Sequence, residues 1–258
     1  MSDLGAPPQL YIPARPAIIR AHQGDLDALA RLERDCGIKA LLPGMVPVIA
    51  GAASLGTPPS YTFIGAYVAT ISGTNLVKTG LVVPAAGLLL IMPSGRGVSN
   101  FELTGVDVST VAADQVVRTP AGFRNPTGIF SIGVAAPATV DVTAYTGAAA
   151  VGTLAFALLT GLSSNSPVDI DNGQSASDAT SSALSLGLPA GAIGIWSSTH
   201  REPEGVTWTN ATELHDTSGG GNHEHSSAIY QATDAETRMA TAAWTTGDEW
   251  SMVAAAWR

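Results

Sequence analysis

Cysteine is almost missing from this chain. Its 258 residues contain Cys36 alone, so no intrachain disulfide can form and the fold must be held by its own core. Charge is scarce as well, at 13% of residues, while 45% are hydrophobic. That balance excludes an intrinsically disordered chain, which needs high charge and low hydrophobicity. No apolar run reaches the roughly 18 residues that cross a bilayer, so membrane insertion is not expected. The opening stretch, MSDLGAPPQLYIPARP, has no basic segment followed by an apolar one, which predicts no secretory leader and synthesis in a cytoplasm. Signatures of cofactor and nucleophile chemistry are lacking too. There is no GxxxxGK[ST], no strand–GxGxxG–helix and no GxSxG elbow, and no cofactor is expected.

What charge there is has one sign in excess. The net charge is −9, and because acidic and basic residues balance from Met1 to Lys39, the excess falls on the remainder. Such a field repels phosphate backbones and argues against a nucleic-acid partner.

Two regions differ in character. In residues 1–57, LYIPARPAIIR holds Pro13 and Pro16, which deny the backbone ladder hydrogen bonds and predict an extended arm. GDLDALARLERDCG follows, with Leu26, Leu29, Ala30 and Leu32 near helical spacing, Asp25 as N-cap and Gly37 as stop, predicting one short helix. LLPGMVPVIAGAAS is apolar yet broken by Pro43 and Pro47. Two readings stand for it: a strap on its own domain, or an anchor burying Leu41, Met45, Val46 and Ile49 against another protein.

From 58 to 258 the pattern is short strands with turn residues between them. LLLIM (Leu88 to Met92) is a continuous apolar run, as in a strand covered on both faces. FELTGVDVS and ATVDVTAY alternate, and GTLAFALLTGL, SALSLGL, GAIGIWSS, SSAIYQAT, RMATAAW and SMVAAAW continue the series. With no credible helix between them, the expected fold is all-β and antiparallel, most simply two sheets packed face to face.

Four of the five histidines, His200, His215, His223 and His225, crowd one region. In GGGNHEHSS an extended backbone points His223 and His225 to the same side, which suits either metal ligation with a third ligand or a solvated loop made pliable by Gly219 to Gly221. The loop reading is favoured, since no cysteine is near. All five tryptophans lie from Trp196 onward. Trp196, Trp244 and Trp257 belong to apolar strands and are expected in the core. Trp208 and Trp250 stand at strand edges among amides and carboxylates, where packing and sugar stacking are both open. PVDIDNGQ offers oxygens from Asp169, Asp171 and Asn172 but lacks the distal glutamate of a calcium loop, and reads as a polar turn. Glu202, Glu204 and Glu213 are the carboxylates a glycan-cleaving enzyme would need in a pair.

The order of these parts, LYIPARPAIIR and LLPGMVPVIAG ahead of a large β domain carrying LLTGLSSNSPVD, VTWTNATELHD and WSMVAAAWR, resembles virion structural proteins of tailed phages and gene transfer agents of alphaproteobacteria. The resemblance implies a jelly-roll-like β-sandwich at 58–258 anchored to a particle by residues 1–57. It implies other virion proteins at a capsid vertex or tail as partners, a homo-oligomer, and a location on the virion surface facing host polysaccharide. On that reading the protein is a non-enzymatic head spike or tail fibre component, with Trp208, His223, His225 and Trp250 displayed for attachment. A glycan-cleaving enzyme and an internal tail or baseplate component are the rivals.

Overall fold

The computed structural model describes residues 58–97, 102–122, 124–147, 149–202 and 204–258. The arm at 1–57, its short helix, and Leu41, Met45, Val46 and Ile49 lie outside the described residues. In chain order the strands are β1 (Ser60–Val68), β2 (Thr70–Ser72), β3 (Asn75–Val83), β4 (Gly87–Gly97), β5 (Gly105–Val108), β6 (Val111–Ala112), β7 (Asp114–Arg118) and β8 (Gly128–Val134). They continue as β9 (Ala138–Tyr145), β10 (Ala149–Thr160), β11 (Asp169–Leu188), β12 (Ile193–His200), β13 (Thr207–Thr209), β14 (Thr212–Ser218), β15 (Glu224–Gln231) and β16 (Glu236–Trp257). Every pairing among them is antiparallel, and no helix occurs among the described residues.

The expected two sheets are three. One runs β1-β10-β4-β8-β7, a second β2-β3-β9-β5-β6, and a third β11-β16-β12-β15-β14 with β13 added on β16. The first is the middle layer, and the period of two along its strands makes that possible. In β4, Leu89 and Ile91 pack with Leu76, Val106 and Val142 of the second sheet. Leu88, Leu90 and Met92 point the other way, onto Ile193, Ile229, Val253 and Trp257 of the third. β10 divides likewise: Leu154, Phe156 and Leu158 face one neighbour, Ala155, Ala157 and Leu159 the other. The unbroken run LLLIM is thus a strand buried on both faces, as its sequence predicted. Small alanines on one side of β10 let the third sheet approach closely.

The third sheet has its far side covered by its own longest strands. β11 and β16 pair over nearly their whole length, from Asp169↔Ala256 to Leu188↔Glu236, with irregularities between Ser175 and Ser181. There the ribbon folds back, placing Leu184, Leu186, Leu188 and Ala240 over Trp196, Met252, Ala254 and Ala256. The fold also explains PVDIDNGQ, which is strand rather than turn: the Asp169 carboxylate accepts the Gly187 N–H at 2.6 Å, and Asp171 accepts the Ser185 N–H at 3.4 Å. These carboxylates satisfy amides of the returning half of the same strand, which would otherwise form an open edge.

Candidate functional site

The register of the strands defines two ends. At one, β12 and β15 start and finish with Ile193↔Gln231, and Ser60 pairs with Thr160. Gln231 Nε2 donates to Pro59 O at 2.7 Å, so the described domain begins here. At the other end lie His200↔Glu224, His200↔Trp250 and Ala149↔Gly97. The twelve residues of β10 separate the two by roughly 35 Å at about 3.3 Å per residue.

Three polar segments meet at that second end. Glu204 accepts the N–H groups of Thr245 and Thr246 at 3.2 and 2.9 Å, tying the β12–β13 connection to the bend of β16. Asp216 accepts the Val206 N–H at 2.7 Å, and Trp208 Nε1 donates to Ser226 Oγ at 2.7 Å, tying both to the β14–β15 hairpin. Arg96 Nη1 donates to Asn222 O, joining the hairpin to the middle sheet. Glu204 is a capping carboxylate here, Glu202 lies 3.8 Å from Arg201, and Glu213 stands exposed on β14.

Where the sequence predicted a pliable displayed loop, the structure has a tight turn and buried imidazoles. Gly220, Gly221 and Asn222 have φ of 79°, 57° and 59°, a left-handed run that glycine and asparagine adopt readily. A Cβ on Gly219 would stand 2.5 Å from the His223 ring. His223 and His225 are 0% exposed. They offer no surface to a polysaccharide, because the hairpin lays them into the seam between the middle and third sheets.

In that seam His225 bridges the layers. Its Nδ1 lies 2.7 Å from Thr153 Oγ1 of β10, and its Nε2 lies 2.9 Å from Ser197 Oγ of β12. Thr127 Oγ1 donates to Pro93 O at 3.2 Å and lies 3.0 Å from Ser197 Oγ. Counting hydrogens fixes the tautomer. Thr127 has spent its hydrogen on Pro93, so Ser197 donates to Thr127 and accepts from His225 Nε2–H, leaving Nδ1 to accept from Thr153. Both nitrogens of His225 are then engaged in hydrogen bonds. Among the described residues no group of three or more His, Cys, Asp or Glu side chains is placed to hold an ion; His225 sits in a hydroxyl–imidazole network, while His223 Nε2 is buried without a hydrogen-bond partner.

His215 shares the seam, while His200 projects from the opposite face of β12 toward the ribbon. His215 stacks on Phe63 at 5.7 Å and meets His225 edge-on at 4.8 Å. His200 stacks on Trp244 at 4.7 Å, and His223 Nδ1 lies 3.3 Å from Thr199 Oγ1. Burial disfavours the imidazolium. It lowers His215 to about 4 and His223 to about 3, the latter aided by His200 and Arg96, and holds His225 well below its usual value. His200 is lowered by burial against the opposing pull of Asp216, Asp248 and Glu204. Glu224 goes the other way: burial, then the adjacent Asp216 carboxylate, raise it to about 8.

No family model, curated protein or solved structure matches this chain.

The tryptophans sort partly as expected. Trp196, Trp244 and Trp257 are buried, and each Nε1–H finds a backbone carbonyl, at Leu184, Ala179 and Asn165. Trp208 and Trp250 are half-buried against the cluster of Val206, Ala242 and Trp244, which is packing, with one side left to solvent. The residues that sequence reasoning passed over are Arg96 and Arg124. With Gly97, Ala150, Val151 and Gly221 they line an open pocket of about 400 Å³ beside the turn. Nothing in RNPTG or PSGRG sets these arginines apart, because the three strand ends that bring them together are far apart in sequence.

Proposed function

We propose that this chain is a non-enzymatic structural protein of a phage-like particle, a head spike or tail fibre component that displays its β domain toward host-surface polysaccharide. The observation that carries the reading is the opposition of the two ends. The described domain begins at Pro59 and Ser60 at one end, and the three polar segments converge at the other. Residues 1–57, the proposed anchor, precede Pro59 and Ser60 in the chain. Loops held by rigid sheets are where binding residues concentrate.

The order of the first ten strands supports the same reading. β1, β10, β4 and β8 form one sheet and β3, β9, β5 and β6 the facing one. We read this order as jelly-roll winding, an architecture that recurs in capsid and lectin domains. The third sheet and its folded ribbon are additions on one face. Copies of the chain assembled on a particle would multiply a weak sugar contact into useful avidity. The histidines have a different part in this scheme: they hold the hairpin, and the contact falls to the groups around it.

Immuno-electron microscopy of particles from cells that produce the protein tests the assignment. Label at a vertex or along the tail is expected. Particles that carry no label, from cells in which the protein is abundant, would overturn it.

A further inference from the structure

We infer that the pocket between Arg96 and Arg124 binds the acidic group of a charged polysaccharide, a carboxylate or phosphate borne on a sugar. The inference rests on the attachment reading for the kind of polymer and on the geometry for its charge. From residue 58 onward the chain has seven basic residues against sixteen acidic ones. In so acidic a domain, basic groups are expected to disperse among carboxylates, and Arg118, Arg201 and Arg238 do. Arg118 pairs with Glu102, and Arg238 pairs with Glu236 at 3.1 Å. Arg96 and Arg124 do not. Among the described residues no carboxylate lies within 4.0 Å of either.

Instead they share one end of the molecule with Arg201, close enough that the groups repel. Arg96 is held below its usual pKa first by burial, next by Arg201 and in smaller part by Arg124, while Glu249 and Asp248 pull the other way. Arg96 and Arg124, gathered without a carboxylate partner, gain most from an anion. One Nη of Arg96 is fixed by the Asn222 carbonyl, which orients the planar fork and leaves its other N–H groups for bidentate recognition of a carboxylate or phosphate. The glycine turn shapes the wall. Gly221 has φ of 57°, and a Cβ there would stand 3.1 Å from Val151 Cγ1, so the pocket keeps a smooth backbone side. Its volume of about 400 Å³ accommodates a sugar ring with its acid group.

A nucleic acid would present the same phosphate chemistry. A duplex, however, brings a continuous line of charge against a domain of net negative charge, with a single small basic spot to meet it. An acidic glycan spaces its charges between neutral rings and suits that spot better.

The test uses the full-length protein and titrates polygalacturonate, its fully methyl-esterified neutral form, phosphomannan and duplex DNA, each at low and high salt. At least one acidic glycan is expected to bind tenfold or more tightly than the neutral ester, and salt is expected to weaken that binding. Polygalacturonate against phosphomannan separates carboxylate from phosphate recognition. Arg124→Glu, at an exposed side chain, is expected to lower binding at least tenfold with an unchanged melting temperature. Arg96→Lys keeps the charge and loses the fork, and is expected to weaken binding also. Failure of both acidic glycans to bind, indifference to Arg124→Glu, or tighter Arg124-dependent binding of DNA would each overturn the proposal. Neutral-glycan binding indifferent to Arg124→Glu would overturn the pocket and leave the attachment reading standing. Arg124-dependent binding of an acidic glycan by a protein absent from particles would do the reverse.

Discussion

His225 is an imidazole used as a joint. Neutral, with its proton on Nε2, it completes a chain of hydrogen bonds from Thr153 in the middle sheet to Ser197 and Thr127. Charged, it would be a buried cation without a counterion, and the same holds for His215 and His223. Their folded-state pKa values lie below the ordinary 6.5. Unfolding therefore takes up protons as the pH falls below 6.5, and stability present above that pH is lost on acidification. The loss is about 1.4 kcal/mol per pH unit for each such histidine until its folded pKa is reached. Glu224 has the opposite sign. Raised from 4.5 to about 8, it stabilises fully below 4.5 and loses that contribution as the pH rises toward 8. The expected profile of melting temperature against pH has its maximum near about pH 6.5, a steep acid limb from the histidines and a shallower alkaline one. Glu224→Gln should flatten the alkaline limb and steepen the acid limb between about pH 4.5 and 6.5, where the loss from Glu224 opposes the gain from the histidines. A melting temperature that stays level from pH 7 to pH 4 would refute this account of the seam.

At the scale of elements, the ribbon of β11 and β16 is the part most dependent on a single interface. Its returning half is held to the third sheet by Leu184, Leu186, Leu188 and Ala240, by Trp196 Nε1–H donating to Leu184 O at 3.2 Å, and by the Asp169 and Asp171 carboxylates. Leu186 is fully buried there. Leu186→Ala is expected to cost about 2–4 kcal/mol, the usual range for a leucine deleted from a core. Because Trp196 lies beneath the ribbon, the variant's tryptophan emission should shift to the red before global unfolding in a denaturant titration. Coincident fluorescence and circular-dichroism transitions at the wild-type midpoint would count against the ribbon as a separately held layer.

At the scale of the whole molecule, residues 58–258 contain three sheets and every core cluster described above. A fragment beginning at Thr57 is expected to remain soluble and to melt within a few degrees of the full chain, while failing to join particles. Normal incorporation of the fragment would show that residues 1–57 are not the anchor.

The strands were legible in the sequence because a strand writes its burial locally. Alternation marks one covered face, as in SALSLGL, and an unbroken run such as LLLIM marks two. The buried tryptophans were legible for the same reason, sitting within apolar strands. What covers a face is a different matter. That β4 lies between two sheets, or that the β11–β16 ribbon returns over its own sheet, depends on contacts between residues tens to more than a hundred positions apart, which no local pattern encodes. The histidines show the limit most plainly. GGGNHEHSS has the composition of a solvated loop, yet the left-handed turn at Gly220 to Asn222 drops both imidazoles into a seam where Thr153, Ser197 and Thr199 supply their partners. Arg96 and Arg124 become a pocket only when the ends of β4 and β10 and the chain entering β8 close around the same turn. Sequence by itself determined the strands and the core side chains, since backbone periodicity and hydrophobic burial act over a few residues. Tertiary structure decided which polar groups are buried and which cations stand together, since desolvation and charge act through space.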